Sequence, residues 1–457
     1  MNVLLVITNI DGFHEIPYSF GLSNIASYIK HKGYNTKIIS IREENEYDEF
    51  CEEVKRFNPS VVGFSSVSSQ FHHVKKIATL IKSIDKNIMI VCGGIHPTIF
   101  PDALLESEAI DGFFVGESEV GFGNLLNKIG KNQGFIDTNN YAYKMDGKVI
   151  VNDLDPLIQD LDILPYPLKD SLFEEFINTN GYAPFFFSRG CPYSCSYCSN
   201  HAIAKTYGMS GNRPRYRSVE SCIEEIKVAL EEHKFETIYI MDDTFGLKRK
   251  WREEFCEKYR TEINLRFICL LRANVVDEEF IKMLKKAGCY RIQFGVESGN
   301  EYVRNTIMNR NISDKQIIDA FSLCRKYGIQ ANALNIIGVP GETDEMIWET
   351  IKLNRKIRPT GGSGVNIFYP YKGTVLGDYC FANDLVDEEL YSNFSNERRE
   401  SVLRYSREYK DKLRHYHKNW TILVYPYNIK DRIYSVLNKH KAIYNQLRKI
   451  KQTLRLC

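Results

Sequence analysis

Short apolar segments of strand length alternate with helical patterns along most of this 457-residue chain. Within about the first 130 residues, strands are predicted at 3–7, 36–40, 61–65, 88–91 and 113–115, with helical patterns between them. Segments this apolar are typical of strands covered on both faces, as in a parallel sheet. Residues 1–135 are therefore predicted to form a doubly wound α/β domain of the flavodoxin or Rossmann type. Its ligand is expected beyond the carboxyl ends of the strands.

A second series of strands and helices comes after residues 136–180, which are predicted to form a hairpin at 141–151 and then a linker. Over 181–385, six strands are expected, at 184–188, 237–241, 265–271, 290–294, 331–337 and 364–368. Six units in about 190 residues suit a partial (β/α)6 barrel better than a closed barrel of eight units. In barrels of this kind the chemistry lies at the carboxyl ends of the strands.

The overall charge and hydropathy of the chain narrow the classes of function. Lys and Arg together number 60 and Asp and Glu 58, so the net charge of +2 creates no field that favours nucleic acid. No apolar segment approaches the roughly 20 residues that a membrane helix needs. The chain begins with an apolar strand, without a basic region or a cleavage site, which predicts a cytoplasmic protein.

The C-terminal region 386–457 is basic, with 16 Lys and Arg against 5 Asp and Glu from Glu397 onward. Apolar residues at 429–454 recur near helical spacing, with basic residues between them. This small helical region is expected either to pack on the barrel with a solvated basic face, or to bind a membrane surface or an anionic substrate. No nucleic-acid-binding module accompanies it, so no nucleic acid partner is expected.

Three of the twelve cysteines lie within eight residues, as Cys191-Pro-Tyr-Ser-Cys195-Ser-Tyr-Cys198. The spacing C-x3-C-x2-C, directly after a predicted strand, lets three thiolates hold three irons of a 4Fe–4S cluster and leaves the fourth iron open. A zinc site is the alternative, and it would need a fourth ligand such as His201. The other nine cysteines are scattered along the chain and are typical of small buried hydrophobic residues.

Residues 180–375, which contain these cysteines, resemble the radical S-adenosylmethionine (SAM) superfamily. Its cluster motif is C-x3-C-x-Φ-C, with an aromatic residue at Φ that is Tyr197 here. The resemblance implies that Cys191, Cys195 and Cys198 bind the cluster and that the open iron binds the amino and carboxylate groups of SAM. It also implies that one electron from an external reductant of the flavodoxin or ferredoxin type cleaves SAM. The resulting 5′-deoxyadenosyl radical then abstracts hydrogen from the substrate.

The ends of successive predicted strands carry the residues that this resemblance assigns to SAM. Tyr197 suits a place beside the adenine, and Glu297 is expected to accept hydrogen bonds from the ribose. Asp243 lies in an Asp-Asp-Thr motif, where many members carry Gly-Gly-Glu near the methionine amine; capping the next helix is its alternative role. Arg272 is expected to pair either with the SAM carboxylate or with a structural carboxylate. The candidate SAM contacts are Tyr197, Asp243, Arg272, Glu297, Ser298, Pro340 and Gly341.

Small residues follow the strands of the N-terminal domain. A run of serines follows the third strand, and paired glycines, which permit the close approach of a ligand, follow the fourth. This pattern resembles the cobalamin-binding domain that precedes the barrel in one large class of radical SAM enzymes, and it implies cobalamin as a third cofactor. The candidate cobalamin contacts are Ser65, Ser66, Ser68, Gly93, Gly94, His96, Thr98 and Glu117.

The loop after the first strand departs from the pattern of many cobalamin domains. These domains carry D-x-H-x-x-G there, and the histidine ligates cobalt from below. Here Asp11 is followed by Gly12, Phe13 and His14, and the glycine of the motif is absent. His14 and His96 are typical of ordinary loop histidines. Cobalamin is therefore expected without a lower histidine ligand.

Together these features predict a radical SAM enzyme, in first place a cobalamin-dependent methyltransferase that acts on an unactivated carbon. One alternative is a cyclase, rearrangement or carbon–carbon coupling enzyme with cobalamin unused or absent. The other is an iron–sulfur protein that is not an enzyme, against which the absence of a fourth cysteine ligand argues. Aromatic pocket walls are expected from Phe368, Tyr369 and Tyr371, and a small-molecule or lipid-like substrate is expected between them.

Overall fold

The N-terminal domain is built on a seven-stranded sheet. The computed structural model describes residues 1–12, 18–208 and 214–426 of the chain. The strands of the first sheet are β1 (Asn2–Thr8), β2 (Asn35–Ile41), β3 (Val61–Ser65), β4 (Met89–Gly93), β5 (Gly112–Phe114), β6 (Tyr141–Met145) and β7 (Lys148–Val151). Their order is β2-β1-β3-β4-β5-β6-β7, and β1 to β5 run parallel. The prediction of a doubly wound parallel sheet is confirmed.

Helices cover both faces of this sheet. They are α1 (Phe20–His31), α2 (Tyr47–Phe57), α3 (Phe71–Ile84), α4 (Ile95–Ile99) and α5 (Glu119–Gly130). Alternate residues of a strand point to opposite faces, so Leu4 and Val6 pack in one apolar layer with α2 and α3. Val3 and Leu5 pack in the other layer with α1 and α5. The two buried layers explain why these strands are apolar throughout.

The hairpin of β6 and β7 belongs to the first sheet. Phe113 of β5 pairs antiparallel with Ala142 of β6, and β6 pairs antiparallel with β7. The sequence assigns this hairpin to the connecting region 136–180, whereas in the structure it extends the N-terminal sheet. Helix α6 (Ser171–Asn180) then leads into the second domain.

The second sheet has six strands and is parallel throughout. They are β8 (Ala183–Phe185), β11 (Thr237–Ile240), β12 (Arg266–Leu271), β13 (Cys289–Glu297), β14 (Gln330–Ile337) and β15 (Gly362–Ile367). Their order is β15-β14-β13-β12-β11-β8, which follows the chain and leaves the sheet open. A two-stranded antiparallel ribbon, β9 (Ser188–Arg189) and β10 (Arg215–Tyr216), lies between β8 and β11 in sequence. The prediction of a partial six-unit barrel is confirmed.

Helices alternate with these strands and bury one large apolar cluster between themselves and the sheet. They are α7 (Ser199–Thr206), α8 (Val219–Glu232), α9 (Arg249–Glu262), α10 (Glu278–Ala287), α11 (Asp314–Lys326) and α12 (Asp344–Ile357). Up to residue 426, three further helices follow the barrel: α13 (Val375–Ala382), α14 (Glu388–Ser392) and α15 (Arg407–Val424). In α15, Leu413, Tyr416 and Trp420 pack against Ile367 and Val365 of β15. The described part of the basic C-terminal region therefore packs on the barrel.

The segment 429–454, for which a membrane or anionic contact was one expectation, lies outside the described residues. Within the described residues, every helix falls short of the length and apolar character that a membrane crossing demands.

Candidate active site between the two domains

The three clustered cysteines lie on residues 190–198, which we call the cluster loop. The loop leaves β9 through Gly190, whose φ of +92° is readily adopted only by glycine, and it ends at the start of α7. The barrel fixes the loop through Ser196, whose N–H donates to the carbonyl of Met308 at 3.1 Å and whose hydroxyl donates to the carbonyl of Ile307 at 2.6 Å. The thiols are therefore held in a short, anchored segment at the carboxyl end of the sheet.

Burial disfavours the charged form of these thiols. It raises the pKa of Cys198 to about 12, and it also raises the pKa of Cys191. Among the described residues, no three His, Cys, Asp or Glu side chains converge on the position of a single metal ion. A four-iron cluster has no need of such convergence, because each thiolate binds a different iron.

Two buried guanidinium groups lie against Cys195. Nη1 of Arg272 is 3.3 Å from its Sγ, and Nη1 of Arg310 is 3.9 Å from the same atom. Arg272 also stacks on the ring of Tyr193, with 3.7 Å between the guanidinium carbon and the ring centroid. Among the described residues, Glu297 is the one carboxylate in ion-pair contact with either guanidinium. This surplus of positive charge suits thiolates bound to an iron–sulfur cluster.

Arg310 connects two of the predicted SAM contacts. Its Nη1 donates to the hydroxyl of Tyr197 at 2.7 Å and is 3.1 Å from Oε1 of Glu297. Its Nη2 donates to the carbonyl of Gly295 at 2.7 Å. Glu297 has a φ of +64°, where the pairing of β13 with β14 shifts by one residue. The irregularity at the end of β13 turns this carboxylate towards Arg310 and the cluster loop.

Asp243 follows β11 and lies near the cluster loop. Burial raises the pKa of its carboxyl, and a hydrogen bond with Asn200 acts in the opposite direction. Its neighbour Asp242 is fully buried and accepts from the N–H of Phe187 at 2.7 Å and from the hydroxyl of Ser188 at 2.7 Å. Asp242 therefore fixes the chain before the cluster loop, whereas Asp243 is left to face the site.

The remaining SAM candidates lie in the barrel wall. The hydroxyl of Ser298 accepts from the N–H of Asn300 at 3.2 Å and is fully buried beside Thr350. Pro340 is buried and Gly341 is exposed, in the turn that follows β14. Thus Tyr197 and Glu297 are brought together around Arg310, and Arg272 lies against Cys195. The hydroxyl of Ser298 instead makes hydrogen bonds within the barrel wall.

A cavity of about 410 Å³ lies between the two domains. On the N-terminal side it is lined by the ends of β3, β4 and β5 and by the first turns of α1 and α5. Four glycines in or just after these strands line the cavity: Gly63, Gly93, Gly94 and Gly116. At Gly94 a Cβ atom would come within 2.9 Å of Ser65 and Ser66, so a side chain is excluded. A wall of strand ends and glycine backbone suits a large ligand that must approach closely.

The predicted cobalamin contacts fall into two groups. Those that line the cavity are Ser65, Gly93, Gly94, Thr98 and Glu117. Ser66, Ser68 and His96 lie behind this wall. Nδ1 of His96 is 3.0 Å from the hydroxyl of Ser68, and its ring packs on Phe71 at 4.7 Å. Burial lowers the pKa of His96 to about 3, so its imidazole is neutral, while His14 lies outside the described residues.

The opposite wall of the cavity comes from the second domain, and of its residues only Asp243 was predicted from the sequence. It consists of Arg189, Gly190, Asn200, Ile203, Ala204, Tyr207, Arg215 and Asp243, together with Phe186. Tyr207 packs directly on Gly116, and its hydroxyl accepts from the N–H of Glu117 at 2.7 Å. Their position in the sequence could have identified these residues as neighbours of the cluster. Arg189 is two residues before Cys191, and α7 directly follows Cys198.

Comparison with known proteins agrees with this geometry. The model of the radical SAM superfamily matches residues 185–353, and that of the B12 binding domain matches residues 8–126. The chain is 32% identical over 372 residues to an uncharacterized methyltransferase of Pyrococcus horikoshii, covering 80% of this chain and 79% of that protein. It is 28% identical over 356 residues to an anaerobic magnesium-protoporphyrin IX monomethyl ester cyclase of Rubrivivax gelatinosus, covering 73% of this chain and 61% of that enzyme.

A solved structure shares the fold across both domains. It is the radical SAM methyltransferase TsrM of Kitasatospora setae, with a TM-score of 0.69 at 18% identity, covering 83% of this chain and 76% of that one. This likeness is one of fold. The radical SAM domain and the B12 binding domain together imply a 4Fe–4S cluster, SAM and cobalamin as the cofactors. The chain belongs to the radical SAM superfamily, within its class of methyltransferases that carry an N-terminal cobalamin-binding domain.

Proposed function

We propose that this enzyme methylates an unactivated carbon of a small molecule that binds between its two domains. The observation that supports this most directly is the shared cavity. Its N-terminal wall is formed by strand ends and glycines, and its other wall contains Gly190, next to Cys191, and residues of α7. A group bound in this cavity therefore contacts both the cobalamin-binding domain and the segment that carries the cysteines.

The chain's own residues prepare the site for charged cofactors. When bound, the cluster and SAM supply a radical that abstracts hydrogen, and cobalamin supplies the methyl group. Arg272 and Arg310 place two positive charges beside Cys195, which stabilises a thiolate there. Glu297 holds Arg310 in position through a 3.1 Å ion pair and keeps a carboxylate next to Tyr197.

Asp243 is proposed to accept a hydrogen bond from the ammonium group of SAM. Its side chain is partly buried, and it lines the cavity close to Asn200 and Gly190. A positive charge brought next to this carboxyl would offset the burial that now raises its pKa. Apolar residues from both domains, among them Phe20 and Phe186, line the same cavity and limit the access of water.

The substrate is proposed to be a small or lipid-like molecule with an apolar surface. Of the aromatic walls predicted after β15, Phe368 and Tyr369 are buried in a cluster with α13 and α14. Tyr371 donates its hydroxyl to Oε2 of Glu397 at 3.1 Å, and Nε of Arg398 donates to that hydroxyl at 3.4 Å. These polar groups lie beyond the end of β15, on the side of the barrel that carries the cluster loop.

Radical SAM enzymes act on small molecules and generally need a reductant. We propose a small electron carrier of the flavodoxin or ferredoxin type for this enzyme. Contact of residues 429–454 with a membrane surface is a further proposal, supported only by their basic helical pattern. Deletion of this segment should then release the protein from anionic vesicles at low salt and leave SAM cleavage intact.

The function is tested by anaerobic reconstitution of the full chain with iron, sulfide, SAM and hydroxocobalamin, followed by incubation with a reductant and extracts of the host. Mass analysis should show a product heavier by one methylene, with one S-adenosylhomocysteine and one 5′-deoxyadenosine per turnover. A product formed with 5′-deoxyadenosine but without S-adenosylhomocysteine would favour ring formation or coupling instead.

A further inference from the structure

Four charged side chains join the two domains at the rim of the cavity, and we call them the cross-domain latch. Arg189 and Arg215 come from the ribbon of the second domain. Glu117 lies in the turn between β5 and α5, and Glu119 is the first residue of α5. Nη1 of Arg189 is 3.1 Å from Oε2 of Glu117, and its Nη2 is 2.6 Å from Oε1 of Glu119. Arg215 also pairs with Glu117 through both of its terminal nitrogens.

The ribbon cannot balance its own charge. Arg189 and Arg215 are directly opposite each other in the antiparallel register of β9 and β10. Like charges on opposite residues of a strand pair repel, and here both side chains are largely buried, with exposed fractions of 17% and 8%. The carboxylates that lie between them belong to the other domain. The ribbon therefore reaches charge balance only when the N-terminal domain is docked.

The environment of the carboxylates agrees with strong pairing. Burial alone would raise the pKa of Glu117, but the hydrogen bond from Arg215 and the charges of both arginines lower it overall. Glu119 has an exposed fraction of only 6% and is the first residue of α5. Removing one partner from such a buried pair leaves a charge without compensation, which is costly.

The latch also borders both cofactor sites. Glu117 and Glu119 line the 410 Å³ cavity together with Gly93 and Gly94. Arg189 is separated from Cys191 by Gly190 alone. A single residue thus separates a cluster ligand from a side chain that holds the cobalamin-binding domain.

We propose that the cross-domain latch is a positioning device that closes the cobalamin cavity, so that the affinity for cobalamin depends on charge pairing between the domains. The proposal rests on cobalamin binding in the shared cavity, but it does not depend on what the enzyme methylates. The four residues act through the placement of the two cavity walls, and each is effective only when its partner is present.

The test is a double-mutant cycle on hydroxocobalamin affinity, measured with the full-length, cluster-loaded protein. Arg189→Gln and Glu119→Gln should each weaken binding tenfold or more. Because the two side chains act as one pair, the double variant should bind about as well as either single variant. The matched control is Arg414→Gln with Glu400→Gln, an exposed pair 3.1 Å apart on the far C-terminal region, which should leave the affinity unchanged.

Cluster content, hydroxocobalamin affinity and product formation separate the outcomes. Iron content and the cluster signal in electron paramagnetic resonance show whether Arg189→Gln still assembles the site, and Glu119→Gln changes only the other domain. Unchanged affinity in both single variants would overturn the latch, and so would effects that multiply in the double variant, since these indicate independent contacts with the cofactor. Wild-type protein that binds no hydroxocobalamin would also overturn it. Normal latch behaviour without a methylated product would instead contradict the proposed function alone.

Discussion

Two buried pairs of arginines face the same region of this molecule, and their partners differ. Beside the cluster loop, Arg310 pairs with the carboxylate of Glu297, and Arg272 has no ion-paired carboxylate among the described residues. In the cross-domain latch, Arg189 and Arg215 meet two carboxylates, which come from the other domain. The latch is therefore balanced by the protein itself, whereas the cluster loop keeps a surplus of positive charge.

This difference separates a structural charge cluster from a functional one. A balanced buried network holds two surfaces together and gains nothing from a further ion. A surplus of cations next to three thiols stabilises anions that the polypeptide does not itself supply. The cluster loop and the latch can therefore be distinguished experimentally by substituting the acidic, basic or thiol side chains of each.

The largest effect is expected from removing the anionic ligands of the cluster side. Changing Cys191, Cys195 or Cys198 to Ala should abolish reductive cleavage of SAM, because three thiolates are the minimum that holds the cluster. Iron analysis and electron paramagnetic resonance measure the loss. Cys256→Ala, at a buried core cysteine of α9, is the matched control and should keep the cluster. A cluster signal that survives removal of all three thiols would refute the assignment.

The next largest effect should come from removing a cation on the same side. Arg310→Met leaves the carboxylate of Glu297, 12% exposed, without its partner, which costs about 3–5 kcal/mol in the free energy of unfolding. Urea-induced unfolding of the cluster-free protein measures this cost. The double variant Arg310→Met with Glu297→Met should recover most of the stability. A single variant as stable as the wild type would show that the pair is not buried in solution.

A smaller effect is expected on SAM affinity. Glu297→Gln keeps the shape of the side chain and removes its charge, so SAM binding should weaken by about 1.5–3 kcal/mol, the range for a hydrogen bond to a charged group. Equilibrium binding to the cluster-loaded protein measures it. The control is Glu301→Gln, at an exposed carboxylate whose buried partner Arg304 also pairs with Asp314. Equal SAM affinity in wild type and Glu297→Gln would count against the placement of this strand end.

The stability contributed by a carboxyl beside the cluster loop and that contributed by a carboxyl of the latch should respond to pH in opposite directions. Burial raises the pKa of Asp242 to about 7, above its unfolded value, so its contribution is present at low pH and is lost as pH rises towards 7. That loss is about 1.4 kcal/mol per pH unit. The pKa of Glu117 is lowered, so its contribution is present above the unfolded value and is lost on acidification through its folded pKa.

Thermal unfolding of the cofactor-free protein between pH 4 and 8 tests this contrast. Asp242→Asn should become more stable relative to wild type as the pH rises. Glu117→Gln should be less stable than wild type at neutral pH, and this difference should shrink as the pH falls. Parallel pH profiles for wild type and Asp242→Asn would show that this carboxyl titrates normally.

The smallest expected signal concerns the lower face of cobalt. His96 is held by Ser68 and packs behind the cavity wall, so bound Co(II) cobalamin should show no nitrogen hyperfine splitting from this imidazole. Electron paramagnetic resonance of the full-length protein decides it. A nitrogen splitting that disappears in His96→Ala would contradict this placement.

The sequence predicted those parts of the molecule that depend on local pattern. The apolar composition of buried strands and the spacing of the cysteines are both local patterns. Both sheets and the cluster loop can therefore be predicted from the sequence. The roles of Arg310 and Arg215 cannot be predicted in this way, because a single arginine belongs to no periodic pattern and no spaced motif. Each acquires its role only when a distant strand end places Glu297 or Glu117 next to it. The hairpin at 141–151 was predicted, but its pairing with β5 depends on which sheet edge is open.

The position of the second cavity wall in the chain has a consequence for biosynthesis. The N-terminal sheet is complete once β7 has been made, but Arg189, Tyr207 and Arg215 follow much later in the sequence. Domains generally fold as units during synthesis, beginning with the first. The nascent N-terminal domain therefore exposes its glycine-lined strand ends before their covering wall exists. The cavity between the two domains is for that reason completed only after residues 189–215 have been made and the second domain has docked.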